Sequence, residues 1–354
     1  MKSIGVKLIG AGGYGGLGMI ELLLRHPVFK LATLVDVDGV GKPISAMWPY
    51  LQDYCDAVIV APDSPEALAS DAAVAVCATP DGVGQITGPK ETAAGRRLLD
   101  YSGDYRFNSL DLYRQYAQRI GRDPAHKAPD LLASSAYGLS ELHRKEIAAA
   151  PVVGNPGCFA VSCILGLAPA VKDGLVEVEG IVCDCKTGVS GAGKKAAPQF
   201  HYPERYDAAN AYRLSGHQHV MEIERELSVL AGRDVRVTFT PQVVPMTRGI
   251  LSTLYGRLPR GVGQADVLAA YRGFYADEPF VKVRDAGQAA STSDVRGSNR
   301  VVVTVACDER TGTFRAVSHI DNLVKGQAGS ALQNLNIMFG LAETLGLDQP
   351  GAHP

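Results

Sequence analysis

Cys158 is the residue of this sequence best placed to react. Val152-Val153-Gly154 reads as the end of a strand, Asn155-Pro156-Gly157 as a turn, and Cys158 as the start of an apolar helix running to about Leu167. A thiol at a helix N-terminus is drawn toward thiolate, because the helix dipole and the first N–H groups favour negative charge. Cys77, Cys183, Cys185 and Cys307 fall within strand-like runs and Cys163 lies further along the same helix, so these read as small packing residues. A working thiol also needs an acid/base. The candidates are His217 and His219, in Ser215-Gly216-His217-Gln218-His219 just ahead of a helix reaching about Leu230. Loop histidines also commonly face solvent. A pair of them suits a metal as well, but no third ligand lies nearby, and no metal site is expected.

The second chemical feature is Gly10-Ala11-Gly12-Gly13-Tyr14-Gly15-Gly16, set between a strand over Val6 to Ile9 and a helix over Leu17 to Arg25. This is G-x-G-x-x-G in its strand-turn-helix context. Its glycines let backbone approach a pyrophosphate, and the helix N-terminus offers N–H donors to it. A tight turn without a ligand would use the same glycines. The Thr79-Pro80-Asp81-Gly82 turn, at the end of another parallel strand, favours the dinucleotide because ligands of such sheets collect along that edge. A nicotinamide beside a nucleophilic cysteine suits one reaction class, in which an acyl group is held as a thioester while hydride is delivered to it.

The elements that must position these residues follow from periodicity. Short apolar runs at Val6 to Ile9, Leu31 to Val37, Ala57 to Val60, Val74 to Ala78, Leu98 to Tyr101 and Pro151 to Val153 alternate with amphipathic stretches, which predicts βαβ units and a parallel sheet. From Gly180 the segments lengthen and alternate, at Ile181 to Lys186, Val235 to Thr240, Ile250 to Leu258 and Arg300 to Ala306, which predicts a half-exposed, mostly antiparallel sheet. A last helix is expected over Ala328 to Leu345, able to return to the first domain. The fold class is therefore α/β, a Rossmann-type parallel-sheet domain plus an α+β domain with a mostly antiparallel sheet.

The 354 residues suit two domains. Lys and Arg number 35 against 37 Asp and Glu, a formal charge of −2, which offers no field for nucleic acid or an anionic membrane. No apolar run approaches the ~18 residues of a membrane helix. Met1 runs directly into a strand-like segment interrupted by Lys7, so no signal peptide is expected. Seven scattered cysteines without C-x-x-C spacing suggest neither disulfides nor structural zinc, and fit a reducing cytoplasm.

With the glycine turn, Asp100-Tyr101-Ser102-Gly103-Asp104-Tyr105-Arg106-Phe107, Tyr137-Gly138-Leu139 and Gly154-Asn155-Pro156-Gly157-Cys158, the chain resembles the N-acetyl-gamma-glutamyl-phosphate reductase family, relatives of aspartate-semialdehyde dehydrogenase. The resemblance continues through residues 186–194, 216–223, 239–241 with 244–250, and 320–329. It implies a dinucleotide-binding domain of residues 1–155 plus 326–354 and a substrate-binding and dimerisation domain of 156–325. It places Cys158 on the family's nucleophile and His217 on its acid/base, with His219 in reserve and near substrate. It assigns cofactor contacts to Gly10, Gly12, Gly13, Tyr14, Gly15, Gly16, Asp36, Thr79, Pro80, Ser190, Gly191, Asn322 and Asn334, and substrate contacts to Arg106, Asn155, Lys194, His219 and Arg248. The implied reaction is NADPH-dependent reduction of N-acetylglutamyl 5-phosphate to the 5-semialdehyde in arginine biosynthesis, by a homodimer or homotetramer. Asp36, where the family usually carries a Ser/Arg-type segment, departs from the NADP pattern and opens the site to NAD(H), although Lys42 is near enough in sequence to meet a 2′-phosphate. Two rivals stand beside this reading: the lysine-pathway homologue, whose substrate is one methylene longer, and a cofactor sensor without catalysis, which would need neither Cys158 nor His217.

Overall fold

The computed structural model describes residues 3–288 and 290–353, which divide into two compact units. One takes the chain up to Pro156 together with Gln327–Asp348; the other takes Gly157–Gly326 together with the residues from Gln349. The first unit thus uses two separate stretches of chain, and the second begins one residue before Cys158.

The first unit holds β1 (Ile4–Ile9), β2 (Phe29–Val35), β3 (Ile59–Val60), β4 (Val74–Cys77), β5 (Arg97–Asp100), β6 (Ser135–Tyr137) and β7 (Val152–Gly154). They form a seven-stranded sheet in the order β3-β2-β1-β4-β5-β7-β6, and its pairings are parallel. β4 is buried at every position, as expected of a central strand covered on both faces. The order reverses between β1 and β4, the place where sheets of this kind bind ligands beyond their carboxyl ends. β6 was not legible as a strand, being three residues without a sustained apolar run. The closing helix spans Gly329–Met338 rather than reaching Leu345. Gly340 ends it at φ +66°, where Leu341 N–H returns to Asn336 O at 2.8 Å and Gly340 N–H to Ile337 O at 3.1 Å, a glycine C-terminal motif that satisfies the last carbonyls.

The second unit holds β8 (Ile181–Thr187), β9 (Asn210–Ala211), β10 (Val237–Val243), β11 (Ile250–Arg257), β12 (Val281–Asp285), β13 (Val301–Asp308) and β14 (Thr313–Ile320), in the order β12-β13-β14-β11-β8-β10-β9. Pairing is parallel at β12/β13 and β8/β10 and antiparallel elsewhere. β10 continues beyond the expected Thr240 through Pro241; proline lacks the ladder N–H and normally argues against a strand interior, which hid the extension. Packed on this sheet is the Cys158–Lys172 helix, buried from Phe159 to Val171. Gly166 permits that approach, since a Cβ there would overlap Leu254.

Candidate active site

The Cys158–Lys172 helix begins at Gly157 with no acid in its own first turn, so Cys158 sits at the positive end of its dipole. Cys158 is half-buried, whereas burial pushes the thiols of Cys77, Cys163 and Cys185 well above the usual range. Those three are held as unreactive thiols. A cleft of about 480 Å³ opens at Cys158 and is lined also by Thr187, Gly191, Tyr212, His217 and His219.

The two histidines stand just before the Val220–Ala231 helix, only 4% and 6% exposed. Their ring centroids lie 4.8 Å apart, and Phe159 meets both edge-on at 5.6 and 6.1 Å. Phe239 closes the far side of His217 at 4.9 Å. Gly157 is required here: a Cβ would overlap the His219 ring. Its N–H donates to Glu222 Oε2 at 2.9 Å, so Glu222, on the first turn after the histidines and fully buried, ties the two helix starts together. Gly326 lies equally close, where a Cβ would come within 2.7 Å of Cys158 Cβ.

The loop after β8 carries Ser190 and Gly191 in a short 3₁₀ turn. Asn322 holds this loop, its Nδ2 donating to Ser190 Oγ at 3.0 Å and its Oδ1 accepting Gly249 N–H at 2.7 Å. Arg248 is ion-paired with fully buried Asp321 at 3.0 Å, and Lys194 is exposed; neither lines the cleft. The cleft instead receives Arg205 and Arg213, which sequence reasoning missed. Arg205 ends the single helical turn Tyr202–Arg205 and Arg213 lies in the loop that follows; neither stretch has a hydrophobic period, and only their place just upstream of His217 could have drawn attention to them.

In the first unit, Gly13 caps the Tyr14–Arg25 helix. Added Cβ atoms on Gly10 and Gly16 would overlap Ala78 O and Gly10 O respectively, whereas around Gly13 there is open space. The turn is thus closed on its inner side and vacant on its outer side, where a phosphate would approach. Thr79 Oγ1 is shut from solvent without a hydrogen-bond partner. Asp36 lies at the end of β2; Oδ2 accepts Gly12 N–H at 2.7 Å and Oδ1 accepts Val37 N–H and Asp38 N–H at 2.7 and 3.1 Å. These residues fit a dinucleotide. Tyr14 packs near Trp48, and Gly15 faces Gln327. Pro80 is exposed in the turn after β4. Asn334 is buried, donating to Gly138 O and Asn155 Oδ1 at 2.8 and 3.2 Å and accepting from Ser140 Oγ at 2.8 Å. Arg106, also buried, donates to Asn155 O and Tyr101 O at 2.8 and 2.7 Å. Asn155 in turn donates to Gln327 O at 3.0 Å.

A semialdehyde dehydrogenase NAD-binding domain model matches residues 5–150, and the dimerisation domain model of the same family matches residues 158–322. The N-acetyl-gamma-glutamyl-phosphate reductase of Citrifermentans bemidjiense is 41% identical over 98% of both chains, and that of Symbiobacterium thermophilum 42% identical over 99% of both. The chain belongs to the N-acetyl-gamma-glutamyl-phosphate reductase family. Among solved structures, aspartate semialdehyde dehydrogenase II from Vibrio cholerae superposes with TM-score 0.72 at 16% identity, covering 96% of this chain and 99% of that one. The Candida albicans aspartate semialdehyde dehydrogenase with NADP gives 0.68 at 15%, covering 97% and 100%. This reductase family member thus shares the two-domain dehydrogenase fold, and it binds a nicotinamide dinucleotide. Among the described residues no helix is long and apolar enough to cross a membrane.

Proposed function

We propose that the chain reduces N-acetyl-L-glutamyl 5-phosphate to N-acetyl-L-glutamate 5-semialdehyde and phosphate through a thioester on Cys158, with NADPH as hydride donor and NADH as a second donor. The observation that carries this reading is the cleft that gathers Cys158, His217 and His219 at the start of one helix; the full-length relatives supply the substrate. His217 takes the Cys158 proton, and the thiolate attacks the acyl carbon. The carbon–oxygen bond to phosphate breaks, and phosphate leaves with the electron pair. When bound, the nicotinamide supplies a hydride to the acyl carbon. Backbone N–H groups at the helix start stabilise the oxyanion, and His217 returns the proton to sulfur as the carbon–sulfur bond breaks.

The first unit supports cofactor binding through its glycine turn and Thr79. Asp36, with three N–H donors on its carboxylate, is partly neutralised, which supports tolerance of a 2′-phosphate. The unit matching the dimerisation model is the one we assign to pairing with a second copy, as homodimer or homotetramer, and the unbridged cysteines suit a reducing cytoplasm. The test is reduction of NADP by N-acetylglutamate semialdehyde. It should require phosphate, and Cys158→Ala should abolish it while cofactor fluorescence titration stays unchanged. Turnover without phosphate, or by the alanine variant, overturns the mechanism; preference for the aminoadipate semialdehyde moves the substrate to the longer homologue.

A further inference from the structure

The cleft at Cys158 contains two arginines and no carboxylate among the residues lining it, so it is built for an anion. The two cations differ in how they are engaged. Half-buried Arg205 donates from Nη1 to Asn210 Oδ1 at 2.6 Å and from Nε to Glu204 O at 2.8 Å. Exposed Arg213 donates from Nη1 to Gln218 Oε1 at 2.8 Å, and Gln218 stands between His217 and His219 in sequence. No acidic side chain among the described residues pairs with Arg213. Its backbone has φ +45°, one of three described non-glycine residues at positive φ and the one that lines the cleft. A bulky residue in that region carries strain, which persists where the surroundings impose it and often at sites of function.

We infer that Arg213 anchors the α-carboxylate of the substrate and so selects acyl groups that carry one. This assignment rests on the substrate reading above. The reacting carbon must reach Cys158 beside the buried histidines. The phosphate is bonded through oxygen to that same carbon, whereas the carboxylate lies at the opposite end of the glutamyl chain. An uncompensated guanidinium at the exposed rim matches the far group, and its planar fork suits a carboxylate.

The test compares N-acetylglutamate semialdehyde with 4-acetamidobutanal, the same skeleton without the carboxylate, in the phosphate- and NADP-dependent direction. For Arg213→Met, kcat/KM on the semialdehyde should fall by about 10- to 100-fold, mainly through KM. The rate on 4-acetamidobutanal and the KM for phosphate should hold, and Arg213→Lys should recover part of the loss. Equal losses on both aldehydes, a raised KM for phosphate, or no change would each overturn the assignment. Wild-type turnover of the semialdehyde in the same series tests the reaction itself. Its absence overturns both readings, whereas an active wild type with an indifferent Arg213→Met overturns only the role of Arg213. Thermal melts of the variants, expected to match the wild type because the side chain is exposed, separate misfolding from lost recognition.

Discussion

The His219 amide N–H lies 3.2 Å from His217 Nδ1, a main-chain contact that fixes the orientation of the ring. His219 thus meets His217 through its backbone as well as lying against Gly157. His217→Asn should lower kcat by ~10² to 10⁴-fold, and His219→Asn by less; the opposite order in a rate assay would exchange their roles. Asp100, at the end of β5, offers a second test. Its Oδ1 accepts from Ser102 N–H at 2.8 Å and from the Ser102 hydroxyl, while Oδ2 is buried without a hydrogen-bond partner. Neighbouring Asp104 accepts from Gly82 N–H, Gln85 N–H and Gln85 Nε2. Burial first, then repulsion from Asp104, pushes Asp100 up to about 8 against the pull of Ser102 and Arg106. Between its unfolded value of 3.8 and about 8 the folded chain holds a proton that the unfolded chain has released, so stability falls as pH rises through that window. Asp100→Asn should flatten the decline in melting temperature across it; an unaltered slope would mean Asp100 is already ionised. Asp36→Ser should raise kcat/KM for NADP relative to NAD, by about tenfold per 1.4 kcal/mol of repulsion removed. A fixed ratio would place the adenosine ribose elsewhere.

Helix starts organise both halves of the chemistry, and each depends on a glycine for a steric reason. Gly16→Ala would drive a Cβ into Gly10 O, main chain that cannot rotate away. It should cost about 1 to 3 kcal/mol and weaken cofactor binding in a titration, with Gly13→Ala, which has open space around it, as the control on stability. These elements were legible in the sequence because a strand, a glycine turn and an apolar helix each leave a local signature. Cys158 and the histidines were legible for the same reason, being anchored to predicted helix starts. Arg205, Tyr212 and Arg213 were not, because a single helical turn and the irregular backbone after it carry no period, and their relation to Cys158 is made by folding across many residues. β9, at two residues, and β12 and β14, which did not stand out in the reading for periodicity, are strands through their neighbours in the sheet rather than through a strong local signal. Glu222 was not legible either, since only its burial against Gly157 N–H gives it a task.

At the scale of the whole molecule, the first unit cannot be completed from residues up to Pro156 alone. The Gly329–Met338 helix is buried along its entire length and packs on the Tyr14–Arg25 and Ser140–Ala149 helices, while Arg97 donates to Met338 O from the start of β5. A chain ending at Gly326 should therefore keep a protease-resistant second unit and lose protection in the first, as read by limited proteolysis or hydrogen exchange. Equal protection of both would show that the helix is dispensable. The same arrangement imposes an order of events on biosynthesis. A ribosome that has finished β7 must still make the second unit, about 170 residues, before it delivers that helix, a delay of roughly 10 to 30 s at ordinary elongation rates. Throughout that interval the nascent parallel sheet exposes the apolar seat of a helix not yet made, while the second unit behind it becomes free to fold first. The enzyme is thus most vulnerable to aggregation, and most in need of a chaperone, during its own translation.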